Sequence, residues 1–231
     1  MTAHLKRDLE NLKKEILTMG SMVETAVNKA ISALINRRLE LAEEVLKGDN
    51  DIDNKELEVE DQCLKILALH QPVAADLRFT VAVLKVNNDL ERMGDFANHI
   101  AERAVFLSQS PPLDFPFEIF KDMASRVRGM VNHVLDAFVS LDSEAARKVI
   151  ADDDEVDELH WRIYEILMSK MKIDPSNVER VFSTMSASRH LERIGDLATN
   201  IGEDVVFMVE GETVRHKFKL HMDKYITPGE G

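Results

Sequence analysis

The chain has 231 residues, 45% hydrophobic and only 6% aromatic, with one cysteine and a formal net charge of −13. Such an acidic surface repels phosphate backbones and argues against a nucleic-acid partner, while a lone cysteine excludes an intrachain disulfide or a cysteine-based zinc site. The segment MTAHLKRDLE lacks the pattern of a signal peptide and no apolar run approaches the roughly 18 residues of a membrane span, so a soluble cytoplasmic protein is expected, and the abundance of Ala, Leu, Glu, Lys and Met points to an all-α fold.

Leu5, Leu9, Leu12, Ile16, Met19, Val23, Val27, Ala30 and Leu34 recur in steps of three and four. They form one stripe of a long helix suited to shallow-angle packing in a bundle. A short helix from Arg38 to Lys47, closed by Gly48, is expected next. A helix over Asp51 to Leu69 follows and takes Cys63 into the core. Pro72 is expected to open a long helix reaching Ser108, with Asp76 near the positive end of its dipole. The stretch SPPLDFPF, Ser110 to Phe117, carries three prolines and reads as a linker, because proline breaks helix interiors. Helices are then expected over Glu118 to Ser140, Asp154 to Met171 and Ser176 to Glu210, the last with Asp174 as its cap and Pro175 in its first turn. The segment from Gly211 to Gly231 has weak periodicity, and its basic and apolar mix suits either a frayed end or a partner contact.

The chain is internally duplicated. LERMGDFANHIAERAVF, from Leu90, aligns with LERIGDLATNIGEDVVF, from Leu191, at an offset of 101 residues. Upstream, ALINRRLELAEEVLKGDNDID, from Ala33, aligns with AFVSLDSEAARKVIADDDEVD, from Ala137, at an offset of 104. The first copy therefore carries three extra residues, placed most simply in the loop HQPVAAD. Repetition at this length means a whole structural unit was doubled. The expected architecture is two tandem, similar three-helix bundles over 1–109 and 118–210, joined by a linker at 110–117 and followed by a tail at 211–231. One continuous six-helix layer is the alternative.

The duplicated segment has an acidic face. On a helical wheel Met93, Ala97, Ile100, Ala104 and Leu107 fall between roughly 260° and 340° from Leu90, and Glu91, Asp95, Asn98 and Glu102 between roughly 80° and 140°. Glu192, Asp196, Thr199 and Glu203 repeat the pattern, so the acids are expected to face away from the core. Glu91 with Asp95, and Glu192 with Asp196, stand four residues apart, where like charges repel by a few tenths of a kcal/mol. Asp49 with Asp53, and Asp153 with Asp157, repeat that spacing at equivalent positions. A hard cation such as magnesium, manganese, calcium or iron bridging carboxylates from neighbouring helices would turn repulsion into coordination. Ordinary solvated side chains, helix dipole partners, or ion pairs with Arg92 and Arg193 account for the same residues without a metal. Gly94 and Gly195, each between two acids, suit either close helix packing or room for an ion. A buried redox centre of the ferritin type is disfavoured, since no Glu-x-x-His occurs and Asp157 with His160 has a similar spacing once only. No Gly-rich phosphate loop or HExxH motif is present.

The segments LERMGDFANHIAE, HLERIGDLATNIGED and QPVAADLR (Gln71 to Arg78), set in a duplicated helical plan over about residues 1–210, resemble the PhoU family. The resemblance implies a non-enzymatic cytoplasmic regulator of phosphate uptake and phosphate-starvation signalling. It would act negatively on the Pho regulon, through the ATPase subunit of an ABC phosphate transporter and a phosphate-sensing histidine kinase, and meet the membrane only through those partners. It also implies surface metal ions (iron, zinc, manganese or magnesium) and no organic cofactor. Their ligands would be Glu91 and Asp95, and Glu192 and Asp196, with Asp49, Asp53, Asp153 and Asp157 fitting the pattern. The family often has His after the motif aspartate, where this chain has Phe96 and Leu197. His99 stands where the second copy keeps Asn200, as an added ligand or an ion-pair partner of Asp95. Long stripes on the helices suggest a homodimer. A metal-storing or metal-dependent hydrolytic bundle is the competing expectation, and a metal-free coiled-coil scaffold is a third.

Overall fold

The computed structural model describes residues 3–212 and Val214. Six long helices run in order: α1 (Ala3–Asn36), α2 (Leu39–His70), α3 (Ala74–Gln109), α4 (Phe117–Ser140), α5 (Ser143–Ile173) and α6 (Val178–Glu210), with a 3-10 turn at Pro175–Asn177 before the last. Helices α1, α2 and α3 pack together as one three-helix bundle, and α4, α5 and α6 as a second. No helix among the described residues is long and apolar enough to cross a membrane. The tail at 211–231 lies almost wholly outside the described residues; Val214 is buried.

Eight of the nine stripe residues expected in α1 are buried, Leu9 being half-covered. Cys63 is fully buried, and burial pushes its thiol up to about 12. Asp174 accepts from the Ser176 backbone N–H at 3.0 Å, as its capping role required. The segment Ser110–Pro116 has no regular structure, yet Leu113 and Phe115 insert into the core. Arg180 ties the segment down by donating to the carbonyls of Pro111 and Pro112 at 3.3 Å. Gln71–Val73, the loop between α2 and α3, supplies the three extra residues of the first copy.

The breaks expected in the middle helices fail. The middle helix of each bundle is one continuous element. α2 passes through Gly48 without a break, and α5 begins at Ser143, well before Asp154. In α2, buried Ala42, Val45, Ile52, Val59, Cys63 and Ile66 keep one apolar stripe running through the glycine. That burial outweighs the roughly 1 kcal/mol a helical glycine loses against alanine. The apolar stripes of α3 and α6 are covered by each other's helix. The two helices run antiparallel against each other and join the bundles, with Lys85 Nζ donating to buried Asp204 at 2.7 Å and His99 5.0 Å from His190 between ring centroids. Buried side chains of all six helices form one continuous core.

The duplication extends to backbone detail. Arg37 and Leu141 both take left-handed φ, 53° and 57°. The next residue in each case returns its N–H to the helix, Arg38 to Ala33 O and Asp142 to Ala137 O, both at 3.0 Å. The second turn has a side-chain cap that the first lacks: Asp142 Oδ1 accepts from Glu144 N and Ala145 N at 3.0 Å. Asp142→Ala should therefore lower stability by about 1 kcal/mol, and Arg38→Asp should raise it by a similar amount. Chemical denaturation of the two variants checks both signs.

Candidate functional site

Each bundle has a seam between its middle and third helices, and the acids converge there. In the first, Asp49 and Asp53 on α2 meet Glu91 and Asp95 on α3. Burial and then the charges of Asp53 and Asp95 raise the Asp49 carboxyl, while burial, Asp95, Asp53 and Glu56 raise that of Glu91. In the second, Asp153 and Asp157 on α5 meet Glu192 and Asp196 on α6. Burial is again the first cause. With the charges of Asp157, Asp196 and Glu192 it pushes Asp153 up to about 7. Glu192 also rises to about 7, through burial, Asp196 and Asp157, and Asp157 to about 6, through burial, Asp196 and Asp154.

The acids thus do not face away from the fold as the wheel suggested. Of the eight, only Asp53 is exposed; the others are half-covered. A wheel that opposes one core to one solvent face fails for a third helix with several neighbours. Leu90, Met93 and Ala97 enter the core, while the next strip around α3 abuts α2. Gly94 marks that contact, since a Cβ there would stand 3.2 Å from the Ile52 side chain. Close packing, rather than space for an ion, accounts for Gly94. At Gly195 a Cβ would lie 3.5 Å from Asp153 Oδ1 and Val156 Cγ1, in ordinary contact.

Counter-charges are sparse. Arg193 reaches Asp196 at 3.2 Å, the ion pair anticipated for it, but Arg92 turns to Asp89 at 3.9 Å. His99 sits with Phe96 and His190 at the α3–α6 contact rather than with Asp95, and its charge bears on Asp49.

The periodicity carried a signal that the wheel of α3 alone missed. In α2, Asp49 and Glu56 fill the gaps in the buried series Val45, Ile52, Val59. In α5, Asp153 and His160 fill the gaps in Val149, Val156, Ile163. Acids and a histidine at interior-facing positions of an apolar stripe are the mark of a polar seam. His160 is half-buried, burial holds its pKa below the usual histidine value, and its Nδ1 lies 2.9 Å from Ser188 Oγ.

The chemistry of the donors is acidic. Carboxylates from two helices crowd together with few basic partners. One turn from the last acid of each seam, a side-chain oxygen is buried without a hydrogen-bond partner: Asn98 Oδ1 in the first seam and Thr199 Oγ1 in the second. An orphaned buried oxygen is costly unless something meets it. As they stand, no three His, Cys, Asp or Glu side chains among the described residues could hold one ion.

Comparison with known proteins follows the same duplication. A family model described as "PhoU domain" matches twice, at residues 16–104 and 120–205. A phosphate-specific transport system accessory protein PhoU homolog of Aquifex aeolicus is 42% identical over 213 residues, 92% of this chain and 96% of the relative. The phosphate-specific transport system accessory protein PhoU of Escherichia coli K12 is 32% identical over 228 residues, covering 98% and 93%. The crystal structure of PhoU from Pseudomonas aeruginosa superposes with a TM-score of 0.88 at 37% identity, covering 90% of this chain and 99% of that one. The phosphate transport system regulatory protein PhoU from Streptococcus pneumoniae gives a TM-score of 0.81 at 26% identity, covering 91% and 99%.

Proposed function

This chain belongs to the PhoU family, and we propose that it is a non-catalytic regulatory adaptor of phosphate transport. It works in the cytoplasm, as a homodimer, on the ATPase subunit of a phosphate ABC transporter and on a phosphate-sensing histidine kinase. Through them it keeps phosphate-starvation genes silent when phosphate is plentiful. Support comes from similarity that spans nearly the whole chain, to relatives named as accessory and regulatory proteins of phosphate transport.

The observation that carries the chemical part of the proposal is the carboxylate seam present once in each bundle. Asp49, Asp53, Glu91 and Asp95 would hold a metal ion in the first, and Asp153, Asp157, Glu192 and Asp196 in the second. Iron, zinc, manganese and magnesium all suit such donors, with selection among them left to ligand type and site rigidity. A bound ion supplies charge neutralisation and a cross-link between two helices. The protein's own contribution is to hold the acids at half-buried positions, where their repulsion makes a cation welcome.

A tagged chain recovered from phosphate-replete cells should bring down the transporter ATPase, and cells lacking the chain should express starvation genes with phosphate present. Phosphatase turnover that disappears in Glu192→Ala, with no transporter partner recovered, would instead establish the metal-dependent hydrolase.

A further inference from the structure

The pairing of α3 with α6 is closed toward one end and open toward the other. Within these two helices an offset of 101 residues relates the copies, so Lys85 corresponds to Ser186, Arg103 to Asp204 and Phe106 to Phe207. Toward the start of α3 the chain fills its own junction. Lys85 Nζ donates to Asp204 at 2.7 Å and stands 5.3 Å from the centroid of the Phe207 ring. Toward the start of α6 that arrangement is not repeated. A serine replaces the lysine, and its Oγ is engaged with His190 Nε2 at 3.2 Å. An arginine replaces the aspartate, and Phe106 is left 37% exposed.

What remains there is a groove of about 480 Å³, lined by Glu102, Arg103 and Phe106 of α3 and by Glu179, Phe182 and Ser183 of α6. Phe182 is 65% exposed, the most exposed aromatic ring among the described residues, and Val178, one turn before it, is also exposed. Single exposed apolar side chains are ordinary, but two rings and a valine around one groove mark a contact surface. The polar side of the groove is unfinished too. Arg103 Nη2 reaches Glu102 at 3.3 Å, a contact between chain neighbours, and its Nε is buried without a hydrogen-bond partner. A guanidinium carries five donors in a fixed fork, so Arg103 has room for a second carboxylate.

We infer that this groove is the face on which two copies of the chain meet. It holds an exposed ring, a hollow beside that ring, an under-used arginine and a carboxylate on the facing wall, so it complements itself in shape and in charge. A two-fold axis makes each residue of one copy meet its counterpart's neighbour in the other, and every contact occurs twice. Phe182 of each copy then enters the groove of the other against Phe106, and Glu179 of each copy completes Arg103 of the other. Aromatic and arginine anchors of this kind dominate the energetics of interfaces. The second copy does for Phe106 what Lys85 does for Phe207 within the chain. The inference rests on the proposed homodimer and assigns its surface.

Sedimentation equilibrium of the full chain over a wide concentration series reads the dimer directly. Wild type should dimerise. Phe182→Asp, Arg103→Glu and Glu179→Arg should each weaken the dimer about 30-fold or more. Arg103→Glu with Glu179→Arg in one chain should restore it, because the exchanged charges meet again across the axis. Far-ultraviolet circular dichroism of each variant separates lost association from lost fold. A wild-type dimer whose dissociation constant none of these changes alters would put the interface elsewhere and overturn the inference, with the homodimer left standing. A double variant no tighter than its single parents would overturn the reciprocal contact of Arg103 with Glu179. Wild type that stays monomeric at every concentration would remove the homodimer itself. If that monomer recovered the transporter ATPase and Phe182→Asp did not, the groove would belong to that partner instead.

Discussion

Phe138→Ala is expected to cost about 3–5 kcal/mol and to lower the melting temperature by roughly 10 °C. Phe138, on α4, is 1% exposed, and its ring stacks on Phe79 of α3 with centroids 6.4 Å apart. The contact crosses from one bundle to the other. Truncation opens a cavity at the junction and removes an aromatic pair worth about 0.5–1.5 kcal/mol beyond its area. Because the core is continuous, both bundles should respond together in one transition. A loss below about 1 kcal/mol, or a split melt with one half unmoved, would show that the bundles are energetically separate.

The second large effect is electrostatic. In metal-free protein, Asp153→Asn with Glu192→Gln should raise stability at pH 8. The sign follows from linkage: these carboxyls have folded pKa values of about 7, above the ordinary carboxylate values of 3.8 and 4.5. The folded chain therefore binds more protons than the unfolded chain between about pH 4 and pH 7, so wild-type stability falls as pH rises through that window and levels off above it. The protons belong to the cluster as a whole rather than to one residue. Relief at Asp153 should be on the order of 2 kcal/mol at pH 8, and the pH slope should flatten in the double variant. Thermal melts at pH 5 and pH 8 read both. A variant less stable than wild type at pH 8 would mean that the ionised carboxylates hold the seam together.

The fold was legible because its signals were local and repeated. Steps of three and four in α1, the prolines at 111, 112 and 116, the Asp174–Pro175 pair and the doubled LERxGD segment each name a physical constraint. The helices run unbroken through Gly48 and from well before Asp154, because tertiary burial of Ile52 and Val156 outweighs local preference. Spacing sets the acids in pairs, but the wheel gives Glu91, Asp95, Glu192 and Asp196 a solvent face that the structure half-covers. A wheel knows one helix, whereas the surroundings of Glu91 depend on where α2 lies. Following the stripe of α2 through Gly48 would have set Asp49 and Glu56 at interior positions. The same step along α5 sets His160 at an interior position, beyond what its spacing to Asp157 alone conveys. The Lys85–Asp204 contact between bundles joins residues whose helices are brought together only by the whole fold, and no local pattern announces it.

The central claim is that one helical unit, doubled, gives each half its own cation-holding seam. Bound manganese measured by elemental analysis after loading and desalting, on wild type and on two double variants, tests it most directly. Glu91→Ala/Asp95→Ala and Glu192→Ala/Asp196→Ala should each abolish binding at one seam and spare the other. Wild-type protein that retains no manganese, or two variants that retain as much as wild type, would contradict the account.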